Sequence, residues 1–171
     1  MKTVLFLCGA NGVGKTTVCQ YMVEHTPHTA YVDSDACRLM NPFVLDDVTI
    51  PVIADNISSL IRHYLQCEYV ETVLFSYGFH GRRKEVFSRV MESLNGLSFE
   101  FIPVMLVCEK TENVRRMRSD GRNEERIIRA IDISRNAFEG VDYPVLDVTE
   151  MSVEQTAAAV LRMTAKQPES R

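Results

Sequence analysis

The fold is decided by the stretch Val4-Leu5-Phe6-Leu7-Cys8-Gly9-Ala10-Asn11-Gly12-Val13-Gly14-Lys15-Thr16. Its first five residues form a continuous apolar run, which is typical of a strand buried on both faces in a parallel sheet. The run from Gly9 to Thr16 matches the pattern G-x-x-x-x-G-K-[ST] in full. A helix is predicted to follow, from about Lys15 to His25. This order of strand, glycine-rich loop and helix is the context in which the pattern binds phosphate groups.

The glycine-rich loop has the residue types that phosphate binding needs. Glycines let the backbone wrap closely around phosphates, and the amides of the loop and of the helix N-terminus supply aligned donors and a favourable dipole. Lys15 is expected to reach the β and γ phosphates, and Thr16 to offer its hydroxyl to Mg²⁺. The alternative is a glycine-rich turn that binds no nucleotide. The predicted nucleotide-binding residues are Gly9, Asn11, Gly12, Val13, Gly14, Lys15, Thr16 and Thr17.

The composition indicates one globular domain. The chain has 171 residues, of which 46% are hydrophobic and 25% charged, which excludes disordered and low-complexity proteins. The five cysteines are widely spaced without a C-x-x-C pair, which favours reduced thiols in a cytoplasmic protein. A net charge of -4 gives no overall attraction to nucleic acid or to a membrane surface, and no apolar stretch approaches the roughly 20 residues that span a bilayer. We therefore expect no nucleic-acid or membrane partner, and the sequence indicates no oligomeric state.

Four further strands alternating with helices are predicted after the loop. This alternation implies an open parallel α/β sheet with helices on both faces. A capping box at Ser152-Val153-Glu154-Gln155 begins the last helix, before a tail at 166–171 that is expected to be flexible. The alternating strands and helices therefore predict a single domain over 1–165. The strands are predicted at 29–32, 72–75, 99–108 and 145–148, and the helices at about 51–68, 83–94, 111–138 with a break at Asp120-Gly121, and 153–164.

Acidic residues follow the second predicted strand, in the segment Asp33-Ser34-Asp35. Ligands of open α/β sheets bind at the carboxyl ends of the strands, which is where these carboxylates lie. Phosphoryl transfer needs a base or an orienting carboxylate close to the attacking hydroxyl. The alternative is that Ser34 or Asp35 caps the turn that begins at Ala36.

The third predicted strand has no acidic residue at its end, where the sequence is Phe75-Ser76-Tyr77-Gly78-Phe79-His80-Gly81. Because this strand end offers no carboxylate to Mg²⁺, Asp33 is the stronger candidate for binding the metal. Tyr77, Phe79 and His80 are candidates for lining an acceptor pocket. Alternatively, Phe79 belongs to the core and His80 to a solvated loop.

An arginine-rich segment precedes the last predicted strand, from Lys110 to Arg129. On one helix, the spacing of its arginines would place several of them on a shared face able to meet phosphate oxygens. The alternative is a solvated helix with ion pairs such as Glu125 with Arg129. The arginines with this spacing are Arg118, Arg122, Arg126 and Arg129.

The loop, the five-strand pattern, the length and the arginine-rich segment together resemble the small P-loop kinases of the nucleoside-monophosphate-kinase type. This group includes shikimate, gluconate and chloramphenicol phosphotransferase-like enzymes. The resemblance implies a three-layer P-loop NTPase fold with a five-stranded parallel sheet of order 2-3-1-4-5. It also implies ATP, Mg²⁺ and transfer of the γ-phosphate to a small acceptor under a mobile lid.

By the same resemblance, Asp33 joins Thr16 in the metal shell and Asp35 serves the acceptor hydroxyl. The lid is the segment at about 115–130, and its arginines join Lys15 as catalytic residues, with Arg118 and Arg122 preferred. The expected function is an ATP-dependent kinase acting on a nucleoside, nucleotide, sugar acid or similar hydroxylated metabolite. The alternative is an ATP-binding regulatory or interaction protein with little turnover, which the missing acidic residue after the third strand favours. The arginines on segments that could face the acceptor, which hint at an anionic or polyhydroxylated substrate, are Arg38, Arg62, Arg82 and Arg83.

Overall fold

The computed structural model describes residues 1–134 and 136–164. Within these residues the strands are β1 (Lys2–Gly9), β2 (Thr29–Asp33), β3 (Thr72–Ser76), β4 (Phe99–Val107) and β5 (Val145–Asp147). The helices are α1 (Lys15–His25), α2 (Thr49–Gln66), α3 (Arg83–Ser93), α4 (Lys110–Ser119), α5 (Glu124–Ser134) and α6 (Val153–Thr164). The strands form one parallel sheet in the order β2-β3-β1-β4-β5, which confirms the predicted order. The predicted tail at 166–171 lies outside the described residues.

The central strand β1 is buried on both faces because helices cover both sides of the sheet. Phe6 packs on one side with Ile57 of α2 and Val86 of α3. Leu5 packs on the other side with Val18 of α1 and with residues of α6. This double burial explains why β1 is a continuous apolar run and does not alternate.

The predicted helix at 111–138 is two helices, α4 and α5, separated by the turn at 120–123. The break predicted at Asp120-Gly121 is confirmed, and Gly121 has the positive φ of 74° that such a turn requires. Asn123 Oδ1 accepts a hydrogen bond of 2.9 Å from the Arg126 amide and begins α5. Because the chain turns between the helices, the shared helical face predicted for the four spaced arginines was wrong. Glu125 and Arg129 form the predicted ion pair at 3.4 Å.

The capping box before α6 is confirmed by two reciprocal hydrogen bonds. The Ser152 amide donates to Gln155 Oε1 at 2.9 Å, and the Gln155 amide donates to Ser152 Oγ at 3.2 Å. These bonds fix the start of α6 at the same sheet edge as the glycine-rich loop. Within the described part of the chain, no helix is long and apolar enough to cross a membrane.

Candidate active site

A cleft of about 750 Å³ opens at the carboxyl edge of the sheet. The glycine-rich loop forms one part of its wall, and the ends of β2 and β3 form another. The start of α3, one side of α4 and the connection from β5 to α6 complete it. The predicted residues that line this cleft are Asn11, Gly12, Val13, Gly14, Lys15, Thr16, Thr17, Asp33, Asp35, Tyr77, Arg83 and Arg122.

The loop conformation depends on glycine at Gly12 and Gly14, which have φ values of 78° and 107°. A Cβ at Gly12 would collide with the Met117 side chain of α4. Gly14 stands at the N-cap of α1 with no side-chain capping hydrogen bond, and the first turn of α1 has no acidic residue. The amides of this turn are therefore left for an anion. Gly9 does not line the cleft, since its backbone lies against the Leu106 carbonyl of β4.

Lys15 is held inside the loop by two backbone carbonyls. Its Nζ donates hydrogen bonds of 2.9 Å to Gly9 O and to Ala10 O. Burial lowers the pKa of Lys15 to about 8, and the positive charge of Arg122 acts in the same direction. The negative charge of Asp35 opposes this shift. Phosphate oxygens would offer the ammonium a charged partner in place of neutral carbonyls.

Side chains of α4 and α5 tie the glycine-rich loop in place. The Asn11 amide donates to Ser134 Oγ at 3.0 Å, and Asn113 Nδ2 donates to Asn11 O at 2.8 Å. Arg116 Nη1 donates to Val13 O at 3.0 Å. Asn113 is completely buried, and its Oδ1 has no partner among the described residues. Sequence reasoning missed all three side chains, because no motif marks them.

The two carboxylates after β2 have different surroundings. Asp33 lies opposite Ser76 in the sheet register, and its Oδ1 accepts a hydrogen bond of 2.9 Å from the Asp35 amide. Asp35 precedes the short 3₁₀ turn at Ala36–Arg38 but makes no side-chain capping hydrogen bond. Its carboxylate instead pairs with Arg38 and lies 3.9 Å from Arg83 Nη1. Capping therefore does not account for the Asp35 side chain.

The end of β3 carries hydroxyl groups and no acidic residue. Ser76 Oγ lies 2.7 Å from the Tyr31 hydroxyl, and Ser76 lines the cleft together with Tyr77. Phe79 is buried in the core against Phe6, as the alternative interpretation of this residue holds. His80 is partly buried. Burial, and then the charges of nearby arginines and of the loop lysine, lower the pKa of His80 to about 4.

The arginines of the predicted lid have separate positions. Arg122 lines the cleft, 3.8 Å from Asp120 Oδ2. Arg118 does not line it, and donates hydrogen bonds of 2.7 and 2.9 Å to the Glu124 carboxylate. Arg116, which was not predicted, is mostly buried and also donates to Val148 O at 2.7 Å. Arg116 thereby joins α4 to the segment after β5.

Comparison with known proteins shows the family of the chain and the fold that it shares with solved structures. The sequence profile of a family described as an AAA domain matches residues 5–137. No curated protein matches the sequence of the chain.

Solved structures of small kinases and of a resistance protein have the same fold. The tunicamycin resistance protein of Deinococcus radiodurans is 20% identical, with a TM-score of 0.67 over 98% of both chains. A gluconokinase from Sinorhizobium meliloti is 17% identical, with a TM-score of 0.62 over 95% of this chain and 91% of that one. The APS kinase of Mycobacterium tuberculosis, solved with AMPPNP and APS, is 15% identical, with a TM-score of 0.63 over 96% and 98%. The predicted likeness to small P-loop kinases is confirmed at the level of the fold, and the family match over most of the chain shows that the protein belongs to the AAA domain family.

Proposed function

We propose that the protein is an ATP-dependent phosphotransferase that moves the γ-phosphate of ATP to a hydroxyl group of a small acceptor. The observation that carries this proposal is a single cleft lined by both the phosphate-binding loop and the Asp35 carboxylate. A kinase needs these two functions within one enclosed space, since phosphoryl transfer depends mainly on positioning and charge stabilisation. The fold shared with a gluconokinase and an APS kinase supports the same reaction class.

The loop residues are assigned to the nucleotide. The amides from Gly12 to Thr17 and the Lys15 ammonium bind the phosphates, while Asn11 lines the cleft and Gly9 lets the loop pass close to β4. The Thr16 hydroxyl and the Asp33 carboxylate offer the oxygen ligands that Mg²⁺ prefers. The described residues include no cluster of three His, Cys, Asp or Glu side chains that could hold a metal, so phosphate oxygens and water must complete the shell, as is usual for Mg²⁺. When bound, Mg²⁺ neutralises phosphate charge.

The transfer step is assigned to Asp35 and Arg122. Asp35 accepts the proton of the acceptor hydroxyl while the oxygen of that hydroxyl forms the new bond to the γ-phosphorus. The bond from that phosphorus to the bridging oxygen breaks, and ADP leaves. Arg122 stabilises the charge on the transferred group from the side of the lid. Arg118 can contribute only after its pair with Glu124 opens.

A single domain over 1–165 with a lid at 115–130 is part of the same proposal. A cytoplasmic location also belongs to this proposal, since the five widely spaced cysteines favour it.

The second candidate function is an ATP-binding regulatory protein with little turnover. The observation that favours this candidate is the end of β3 at Ser76, without an acidic residue.

The test is ADP release from Mg²⁺-ATP with and without a panel of nucleosides, nucleotides, sugar acids and hydroxylated antibiotics. An acceptor that raises turnover toward the roughly 1 to 100 s⁻¹ typical of kinases supports the proposal. Lys15→Ala should abolish this turnover, and Asp35→Asn should retain nucleotide binding while losing transfer. Asp47→Asn is the matched control, because Asp47 is exposed and pairs with Arg82 outside the cleft. Nucleotide binding without stimulation by any acceptor favours the regulatory candidate, and wild-type turnover in Lys15→Ala overturns the loop assignment.

A further inference from the structure

A tyrosine side chain lies next to the residues that are proposed to bind Mg²⁺. The Tyr31 hydroxyl oxygen lies 2.7 Å from Ser76 Oγ. The same hydroxyl interacts with the Thr16 hydroxyl, and the negative charge of Asp33 acts on it. Thr16, Asp33 and Ser76 line the cleft, whereas Tyr31 does not. One phenol outside the cleft therefore interacts with three of the polar side chains that line it.

Core packing fixes the position of the Tyr31 ring. Tyr31 and Asp33 lie on the same face of β2, since side chains alternate along a strand. On this face, Tyr31 packs against the buried cluster that contains Cys19 of α1 and Leu74 of β3. Leu74 is the register partner of Tyr31, and Ser76 is that of Asp33. Because the ring is packed in the core and the hydroxyl makes the polar contacts, Tyr31→Phe removes these contacts and keeps the packing.

A threonine hydroxyl that binds Mg²⁺ needs an acceptor for its proton. As a metal ligand, Thr16 uses a lone pair of Oγ1, and the positive charge of the ion makes the hydroxyl a stronger donor. A carboxylate at the end of β3 would accept this proton, but the strand ends with Ser76. Asp33 is less suited, because its Oδ1 already accepts the Asp35 amide at 2.9 Å and its carboxylate is assigned to the metal. The Tyr31 hydroxyl remains, since it can accept from Thr16 and donate to Ser76 Oγ at the same time.

We propose that Tyr31 is a positioning residue of the metal site, which orients the Thr16 and Ser76 hydroxyl groups through one directed chain of hydrogen bonds. This inference rests on the proposed function, because it needs Mg²⁺ at Thr16 and Asp33. In the chain, Thr16 Oγ1 donates to Tyr31 Oη, which donates to Ser76 Oγ. The Ser76 proton is left for a carboxylate or phosphate oxygen in the cleft. Each hydroxyl then both donates and accepts, so Tyr31 and Ser76 together take the role that a carboxylate at the strand end would have.

The first test measures how strongly Mg²⁺ and nucleotide support each other's binding, without turnover. Calorimetry gives the dissociation constant of AMPPNP in EDTA and in saturating Mg²⁺, and the ratio of the two constants is the metal coupling. Tyr31→Phe should reduce this coupling by about fivefold or more, while the constant in EDTA stays within about twofold of wild type. Tyr143→Phe is the matched control and should change neither constant, because Tyr143 is a partly buried phenol on the other side of the sheet, beside Phe6. Circular dichroism checks that Tyr31→Phe is folded.

Two further variants separate the hydrogen-bond chain from packing. Ser76→Ala keeps Tyr31 as the acceptor for Thr16, so it should reduce the coupling less than Tyr31→Phe does. Adding Ser76→Asp to Tyr31→Phe supplies a carboxylate at the strand end and should recover about threefold or more of the lost coupling. The inference is overturned by coupling within about twofold of wild type in Tyr31→Phe, by an equal loss of affinity in EDTA, by a larger loss in Ser76→Ala, or by no recovery in the double variant. If wild type shows no coupling, the metal site is refuted and the inference with it.

The second test measures ADP release at varied Mg²⁺ concentration. Tyr31→Phe should need about fivefold or more Mg²⁺ for half-maximal turnover, while kcat at saturating Mg²⁺ stays within about threefold of wild type. A lower kcat with an unchanged Mg²⁺ requirement overturns the inference and leaves the kinase proposal standing. If no acceptor is turned over, the kinase proposal fails, and the coupling measured with AMPPNP still decides the role of Tyr31.

Discussion

Nucleotide binding should become weaker above neutral pH, because Lys15 of the unliganded protein loses its proton there. In the unliganded protein, burial lowers the pKa of its ammonium to about 8, from 10.5. Bound phosphates favour the charged form and therefore raise this pKa. Between the pKa of the free protein and that of the complex, binding must take up a proton, so affinity falls as pH rises through this range. Below pH 8 the lysine is already charged, and this dependence disappears.

The size of the effect follows from the fraction of Lys15 that is protonated before binding. With a pKa of about 8, that fraction is about 90% at pH 7 and about 10% at pH 9. The dissociation constant for Mg²⁺-AMPPNP should therefore rise about tenfold between these pH values, which is about 1.4 kcal/mol. The Cys8 thiol, whose charge would act on Lys15, does not contribute over this range, because burial raises its pKa to about 12.

Isothermal titration calorimetry at pH 7, 8 and 9, in buffers with different heats of ionisation, measures both affinity and proton uptake. Uptake should be close to zero at pH 7 and approach one proton per nucleotide at pH 9. Lys15→Ala is the control, and its weaker affinity should not change over this range. A wild-type dissociation constant that stays within about twofold from pH 7 to pH 9, without proton uptake, would refute the reasoning.

Other changes test the loop, the lid and the end of β3. Gly12→Ala places a Cβ against Met117 at a φ of 78°, and should cost at least about 2 kcal/mol and lower Tm by about 4 to 8 °C in calorimetry. Arg122→Gln should lower kcat by about tenfold or more, because Arg122 lines the cleft, whereas Arg118→Gln should stay within about twofold; the reverse order would transfer the lid role to Arg118. His80, with a pKa of about 4 in the folded protein, binds fewer protons than in the unfolded chain between pH 6.5 and 4, so stability falls as pH falls through this range. Urea denaturation at pH 7 and 5 should show this loss reduced by about 1 kcal/mol in His80→Asn, and an unchanged loss would contradict the pKa shift.

The elements that the sequence predicts well are those with a local signal. β1 is marked by a continuous apolar run, which is typical of a strand buried on both faces. The start of α6 is marked by the capping box at Ser152. The glycine-rich loop is marked by glycines at positions where a side chain would collide with a neighbour or where the backbone has a positive φ. Such signals depend on a few neighbouring residues, so they can be interpreted without the rest of the chain. The order of the strands was expected from the family resemblance and is confirmed.

The arginines of α4 show why the rest of the site could not be predicted. Arg116 and Arg118 are two positions apart in a polar segment, yet one is mostly buried against Val13 and the other pairs with Glu124 outside the cleft. Which face of α4 meets the loop depends on the path of the chain through β4 and the turn at 120–123. A residue type and a spacing cannot specify that path. The role of the buried Asn113 could not be predicted either, because its hydrogen bond joins residues that are 102 positions apart in the sequence.

The ties between the loop and its neighbouring helices also limit how the proposed lid can move. Both backbone polar groups of Asn11 are bonded to side chains, the amide to Ser134 of α5 and the carbonyl to Asn113 of α4. Moving the whole 115–130 segment with its helices would break these bonds and that of Arg116, and an unsatisfied buried group costs about 1 to 3 kcal/mol. The turn at 120–123 carries none of these bonds to the loop. Motion that brings Arg122 toward the phosphates is therefore least costly when confined to this turn, while α4 and α5 stay fixed and hold the P-loop in shape.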